Sequence, residues 1–225
     1  MKIWHFSDTH TYHSLLNIPE DIDIAIFSGD CSNPRDPYKN EQEVLNFLTW
    51  FDECVKAKYK IFVAGNHDSS IEKRFVNKET FAEHGIMYLE NETVEVEGLK
   101  IWGSPYTPTF NDWSFMKARH KIGVIWDSIP EDTDIVIVHG PPKGIMDYSY
   151  DRNGKLEMCG CSALLKRILN IEPKLFLSGH IHNNEDIINA GTLKLSAYKT
   201  IFSNGSVVTD RKFGKLTSNG NILEI

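Results

Sequence analysis

Short apolar runs punctuate this chain, and each one stops at a polar cluster. Ile3–Phe6, Ile22–Phe27, Lys60–Ala64, Ile135–Val138 and Leu175–Leu177 are bounded by Gly, Pro or Asp, the pattern of short buried strands. Between them the period changes. Glu41–Val55 carries Val44, Phe47, Leu48, Phe51 and Val55 at spacings of three and four, which predicts an amphipathic helix. Ser162–Leu169 repeats that spacing with Leu164, Leu165, Ile168 and Leu169, and Pro173 limits its extension. Met87–Leu89, Thr93–Val96 and Lys100–Trp102 follow one another as a β-rich stretch. The end of the chain from Asp186 also reads as β, with turn signals at Gly191, Asn204-Gly205 and Asn219-Gly220. No linker or repeat interrupts the series. The expectation is one α/β layered domain over residues 1–225.

The residues that follow the apolar runs share a chemistry. Ile3–Phe6 leads to Ser7-Asp8-Thr9-His10, Ile22–Phe27 to Ser28-Gly29-Asp30, and Lys60–Ala64 to Gly65-Asn66-His67-Asp68. Ile135–Val138 ends at His139-Gly140, and Leu175–Leu177 at Ser178-Gly179-His180-Ile181-His182. Open α/β sheets gather their ligand sites at the carboxyl ends of strands, where loops from several strands converge. Asp, Asn and His delivered there from five strands make a metal site the simplest common explanation. Asp8 and His10, like His180 and His182, are two apart. In extended backbone each pair projects to one side with Cβ atoms ~6–7 Å apart, which suits straddling two ions ~3.5–4 Å apart better than chelating one. Each fragment alone has a structural reading. Asp8-Thr9 could cap a short helix at Tyr12–Leu16, Gly29-Asp30 and Gly65-Asn66 could be plain turns, and His139 could be a loop histidine. The joint arrangement favours the metal. His5, His13, His84 and His120 lie outside it and read as ordinary core or surface histidines.

Composition narrows the partners. The 225 residues hold 24 Lys+Arg against 31 Asp+Glu, a net charge of −7, with 41% hydrophobic and 24% charged residues. That balance supports a packed core and excludes disorder. No apolar run approaches the ~18 residues a membrane crossing needs, and Met1–Phe6 lacks the pattern of a secretory leader. An acidic chain without a basic tract argues against long nucleic acid. The cysteines Cys31, Cys54, Cys159 and Cys161 fit a reducing compartment, and Cys159-Gly160-Cys161 is too tight for a zinc knuckle, so a cytoplasmic location is expected.

Asp8-Thr9-His10, Gly29-Asp30, Gly65-Asn66-His67-Asp68, His139 and Gly179-His180-Ile181-His182 resemble, in order, the signature of the calcineurin-like metallophosphoesterase superfamily. Ile101–Pro108, Phe110-Asn111-Asp112-Trp113, His139-Gly140-Pro141-Pro142 and Cys161 are similar to its brain-type metallophosphodiesterase subfamily. The resemblance implies a four-layer α/β fold, two mixed sheets packed as a sandwich and flanked by helices, with a dinuclear site at the sheet edge. It assigns Asp8, His10, Asp30 and His182 to one divalent ion and Asp30, Asn66, His139 and His180 to the other, with Asp30 bridging. His67 then faces the substrate as the group that protonates the leaving oxygen, beside Asn66, and Asp68 is expected to orient its ring. Carboxylate, imidazole and amide donors suit Mn, Fe, Zn, Ni or Mg, with Mn favoured. Two such ions with two carboxylates keep the site net positive and attractive to phosphate. Tyr106, Phe110 and Trp113 are candidates for stacking on a base. The expected activity is a phosphodiesterase for small, cyclic-nucleotide-like phosphodiesters. A phosphomonoesterase or protein phosphatase, and a non-catalytic metal-binding scaffold, are the competing readings.

Overall fold

The structure is a computed structural model that describes residues 1–209 and 215–225. The reading of the chain end as β crosses 210–214, which lie outside the described residues. The strands are β1 (Lys2–Phe6), β2 (Ile22–Phe27), β3 (Ala57–Phe62), β4 (Met87–Tyr88), β5 (Glu92–Val96), β6 (Leu99–Ser104), β7 (Thr107–Pro108) and β8 (Met116–Lys117). They continue with β9 (Ile135–Val138), β10 (Tyr148–Tyr150), β11 (Leu156–Met158), β12 (Leu175–Ser178), β13 (Gly191–Lys194), β14 (Ile201–Asn204) and β15 (Asn221–Glu224). The helices are α1 (Pro37–Glu53), α2 (Ser69–Glu72), α3 (Lys78–Glu83), α4 (Gly123–Trp126) and α5 (Ser162–Ile171).

Two large mixed sheets form. One has the order β15-β1-β2-β3-β4, the other β13-β14-β12-β9-β6-β5. Within them β1 to β4 run parallel, as do β6, β9, β12 and β14, so the carboxyl ends of each parallel set share an edge. Alternation along each strand divides the apolar residues between two faces. Trp4, Phe6, Phe27 and Phe62 pack against Phe47, Leu48 and Phe51 of α1. Ile3, Ile24, Ile26 and Ile61 meet Ile135, Ile137, Leu175 and Leu177 between the sheets. Val136, Val138, Phe176 and Phe202 meet Trp126, Leu164 and Ile168 of the other helical layer. Three apolar layers therefore separate four structural ones, the sandwich flanked by helices that the sequence leads one to expect.

The element bounds differ from expectation in instructive places. The main helix begins at Pro37, before its first apolar repeat, because Asp36 caps it and accepts hydrogen bonds from the Tyr38 and Lys39 amides (3.0 and 3.2 Å). β3 spans Ala57–Phe62 rather than Lys60–Ala64, so Val63 and Ala64 are already turning toward the site. The small hairpin β10–β11 is a separate two-stranded sheet whose apolar residues, Tyr148, Tyr150, Leu156 and Met158, are exposed.

Candidate metal centre

Each candidate ligand leaves its strand through a turn. β1 ends at Phe6 and β12 at Ser178, so neither Asp8–His10 nor His180–His182 is extended strand. The backbone is left-handed at Asp8 (φ 54°), His10 (41°), Asp30 (63°) and His180 (69°). Such φ values are uncommon for residues other than glycine and cost of order 1–3 kcal/mol each, so four of them at one sheet edge mark a built site. The extended geometry expected for the two pairs is thereby corrected. Ligating atoms of Asp8, His10 and His182 fall within 4.8 Å of one another, as do those of Asp30, His139 and His180. The Asp8–His10 pair thus converges on one point, while His180 and His182 divide between two. Motif glycines make the convergence possible: a methyl group on Gly65 would overlap the Asp30 carboxylate and the His139 ring, and one on Gly179 would overlap Ser7 and Asp8.

Hydrogen bonds fix which nitrogens face the centre. His139 Nδ1 lies 2.8 Å from the Ser28 carbonyl, to which only an N–H can donate. Its Nε2 stands 3.0 Å from Asn66 Oδ1 and 3.3 Å from Asp30 Oδ2. His10 Nδ1 is held by the Ser32 carbonyl (3.2 Å) and Asn33 Oδ1 (3.1 Å), which turns Nε2 inward, where it is buried without a hydrogen-bond partner. An imidazole lone pair sealed from water with nothing to accept is costly by itself and is satisfied by a cation. Asp8 is fully buried. It accepts from Ser7 Oγ (2.5 Å) and the His180 amide (3.0 Å), and its Oδ1 is 3.1 Å from His182 Nε2. Carboxylate, imidazole and amide donors in this setting fit two divalent ions, with Asp30 placed to serve both: its Oδ2 is also 4.0 Å from His10 Nε2.

The metal-free electrostatics express the same design. Burial alone would raise the Asp8 carboxyl, but the charge and hydrogen bond of His182, with His139, bring it down to about 2. Burial opposes the fall at Asp30 too, yet His139, His67 and His10 hold it well below the carboxylate range. His180 is lowered to about 3 by burial and by the neighbouring His139 charge. His139 moves the other way: burial lowers it, but the Asp30 carboxylate wins and raises it from 6.5 to about 9. In the metal-free chain that imidazolium's contribution to stability is complete below about pH 6.5 and fades as pH rises through about 9. A bound cation must displace its proton. Mn²⁺ affinity is therefore expected to rise by up to about tenfold per pH unit across this interval. Calorimetry near pH 7.5, in buffers of different ionisation enthalpy, should record about one proton released. An identical heat in every buffer would contradict it.

His67 lines a cavity of about 430 Å³ with Asp30, Asn66, His180, His182, Phe110 and Trp113. Its ring packs on Trp113 (centroids 4.1 Å) and edge-on to His10 (4.8 Å), and Nδ1 is 3.4 Å from the Asn33 carbonyl. Asp68 does not orient that ring as expected. Its oxygens accept instead from the amides of Asp30 (3.0 Å), Cys31 (3.1 Å) and Gly65 (2.8 Å) and from Ser32 Oγ (2.8 Å), so it ties the Asp30 loop to the Asn66 turn. Neither does Asp8 cap a helix, because the 3-10 turn Tyr12–Leu15 starts at a left-handed Thr11 with no side-chain cap. Cys31, next to Asp30, donates its thiol to Asp68 (3.3 Å), and burial pushes that thiol up. Tyr106 also departs from expectation: it packs edge-on to Phe115 between two core layers and does not line the cavity. Trp113 is engaged by His67 and by the Arg35 guanidinium, 3.8 Å from its ring. That leaves Phe110, 45% exposed and 5.2 Å from the His180 ring, as the accessible aromatic surface. Sequence reading missed Arg35 and Arg119. Arg119 lines the cavity and donates to the carbonyls of Gly160 (3.1 Å) and Cys159 (3.0 Å), and no local pattern distinguishes it from other isolated basic residues.

Comparison with known proteins follows this geometry. The calcineurin-like phosphoesterase profile matches residues 1–184, which include all the candidate ligands. Metallophosphoesterase domain-containing protein 1 of Homo sapiens is 30% identical over 228 residues, covering 90% of this chain and 65% of the human protein. The chain thus spans just under two thirds of that relative's length. A UPF0046 protein of Caenorhabditis elegans is 28% identical over 207 residues, covering 85% and 67%. Among solved structures, phosphopantetheinyl hydrolase from Mycobacterium tuberculosis superposes with a TM-score of 0.60 over 92% of this chain and 89% of its own, at 13% identity, a likeness of fold. With its profile match running from the first strand through His182, the chain belongs to the calcineurin-like phosphoesterase family.

Proposed function

We propose that this chain is a metal-dependent phosphodiesterase for small, nucleotide-like phosphodiesters. The observation that carries the reading is the pair of ligand clusters, Asp8–His10–His182 and Asp30–His139–His180, opening on one cavity with His67 at its wall. Divalent ions in such a setting supply Lewis-acid polarisation of the phosphate and a hydroxide nucleophile at neutral pH. The protein's own part is positional. Asp30 Oδ1 accepts from the His67 amide (2.7 Å), so the carboxylate that would help hold both ions also sets the reach of the His67 side chain. Trp113 packs against the His67 ring, which leaves it to hydrogen-bond or protonate the departing ester oxygen. Phe110 offers a flat apolar face for the group that stays on phosphorus.

The cavity's charge supports a diester over a monoester. Among its lining residues only Arg119 is a lysine or arginine, and that guanidinium is already bonded to two carbonyls. A singly charged diester needs less cationic compensation than a dianionic monoester. With Mn²⁺ supplied, bis-p-nitrophenyl phosphate should be turned over with a kcat/KM at least about tenfold above that of p-nitrophenyl phosphate, ~1.4 kcal/mol in the barrier. Metal analysis of the same sample should find about two ions per chain. A monoester preference would replace the reading with the phosphatase one, and two bound ions without turnover of either ester would point to a scaffold.

A further inference from the structure

The space between the sheets is aliphatic until its last layer. Ile3, Ile24, Ile26, Ile137 and Leu177 fill it, and one pleat nearer the candidate centre the inward positions become His5 on β1, Ser28 after β2 and Ser203 on β14. All three are buried, His5 completely. His5 Nδ1 lies 2.7 Å from Ser203 Oγ and Nε2 lies 2.9 Å from Ser28 Oγ. Asn221, paired with His5 in the β1–β15 register, reaches across as well: its Nδ2 donates to Ser203 Oγ (2.9 Å), the Asn204 carbonyl (2.8 Å) and the Gly191 carbonyl (3.0 Å). Ser28 completes the connection, since its carbonyl accepts from His139 Nδ1. A methyl group on Gly205 would come within 2.9 Å of the His5 ring, so the ring fits tightly where it stands.

We propose that His5 is a positioning residue that pins the two sheets together beneath the metal centre and thereby sets the spacing of the two ion sites. The inference rests on the dinuclear phosphodiesterase reading. Asp8, His10, Asp30 and Asn66 come from loops of the first sheet, and His139, His180 and His182 from loops of the second. Each ligand cluster draws on both. The aliphatic layer holds the sheets together without specifying their relative position, because apolar contact is non-directional. Hydrogen bonds are directional, and the chain Asn221–Ser203–His5–Ser28–His139 links β15, β14, β1 and the end of β2 to a candidate ligand. Two residues separate His5 from Asp8 and one separates Ser28 from Asp30, so little backbone can absorb an error. Burial lowers the His5 ring to about 3, against the pull of Asp8, and keeps it neutral. A neutral ring can accept from one serine and donate to the other.

The test compares His5→Phe and Ser203→Ala with wild type, using manganese(II) chloride as the probe. Wild type should bind two ions and show the exchange-coupled electron paramagnetic resonance signal of a close Mn²⁺ pair. Both variants should bind Mn²⁺ roughly 10–100-fold more weakly, with the coupled signal weakened. The kcat on bis-p-nitrophenyl phosphate should fall while KM holds, and Ser203→Thr, which keeps the hydroxyl, should restore the signal. Should His5→Phe fail to fold, Ser203→Ala carries the comparison. Thr133→Ala is the control: Thr133 Oγ1 donates to the Pro130 carbonyl (2.8 Å) in the segment before the amino end of β9, the end opposite His139, and its loss should leave Mn²⁺ binding unchanged. Wild-type affinity and spectrum in both variants, or an equal loss in Thr133→Ala, would overturn the proposal. A wild-type protein unable to bind two ions would overturn the phosphodiesterase reading first and this inference with it.

Discussion

Asp30→Ala is expected to empty both ion sites and abolish phosphodiester turnover. The Asp30 side chain is 3% exposed, its Oδ2 lies 3.3 Å from His139 Nε2 and 4.0 Å from His10 Nε2, and its Oδ1 accepts from the His67 amide. Asp30 shares one group of converging ligand atoms with His10 and another with His139 and His180. Losing an outer hydrogen-bond partner of a metal ligand costs roughly 10–100-fold in affinity, and removing a ligand common to both ions should exceed that for each. The charge matters beyond coordination. Asp8 and Asp30 are the two carboxylates in the candidate ligand set, so alanine at 30 halves the negative charge available to offset two divalent cations. Metal analysis after dialysis, with circular dichroism to confirm the fold, checks the result. Asp30→Asn keeps the side-chain shape and the acceptor for the His67 amide, so metal loss in it as well would assign the effect to charge and bridging. Retention of two ions in Asp30→Ala would remove the bridging role.

What the sequence revealed and what it hid divide along a physical line. Strand position depends on local alternation and burial, so Ile135–Val138 emerges with its observed bounds and Leu175–Leu177 within one residue. The candidate ligands were legible for a related reason: each follows directly on an apolar run, and the parallel topology carries those ends to one edge. The turns were not legible. Whether Asp8 and His10 serve one ion or straddle two depends on left-handed φ values that tertiary contacts impose, such as the close approach of Gly179 to Asp8. Asp68 was misassigned because adjacency in Asn66-His67-Asp68 suggests a partner for His67. Its carboxylate instead collects amides from Asp30 and Cys31, some 38 positions earlier. Tyr106, Phe110 and Trp113 share one aromatic segment yet have different surroundings, and no period in the sequence separates the core residue from the two at the cavity.

His67→Ala is expected to lower kcat by ~10²–10⁴-fold, the usual worth of a positioned general acid, with two metal ions still bound. The residue has two chemically distinct readings. Its ligating atom lies within 4.8 Å of those of His10 and Asp30, so geometry alone admits it as a further metal ligand. Its packing says otherwise. The two clusters already offer carboxylate and imidazole donors at both ends of Asp30, and Asn66 adds an amide oxygen 3.0 Å from His139. The His67 ring is turned against Trp113 on the cavity wall, which an aromatic buttress explains and coordination does not require. A general acid acts only on a leaving group that needs its proton. The deficit in His67→Ala should therefore shrink for esters with strongly acidic leaving groups and grow for alkyl esters, with KM little changed. Trp113, itself covered by the Arg35 guanidinium, packs against that ring, so Trp113→Leu should reproduce part of the loss in kcat without loss of metal. If His67→Ala instead sheds an ion in step with its activity, His67 is a ligand, and the proton for the departing oxygen must come from solvent.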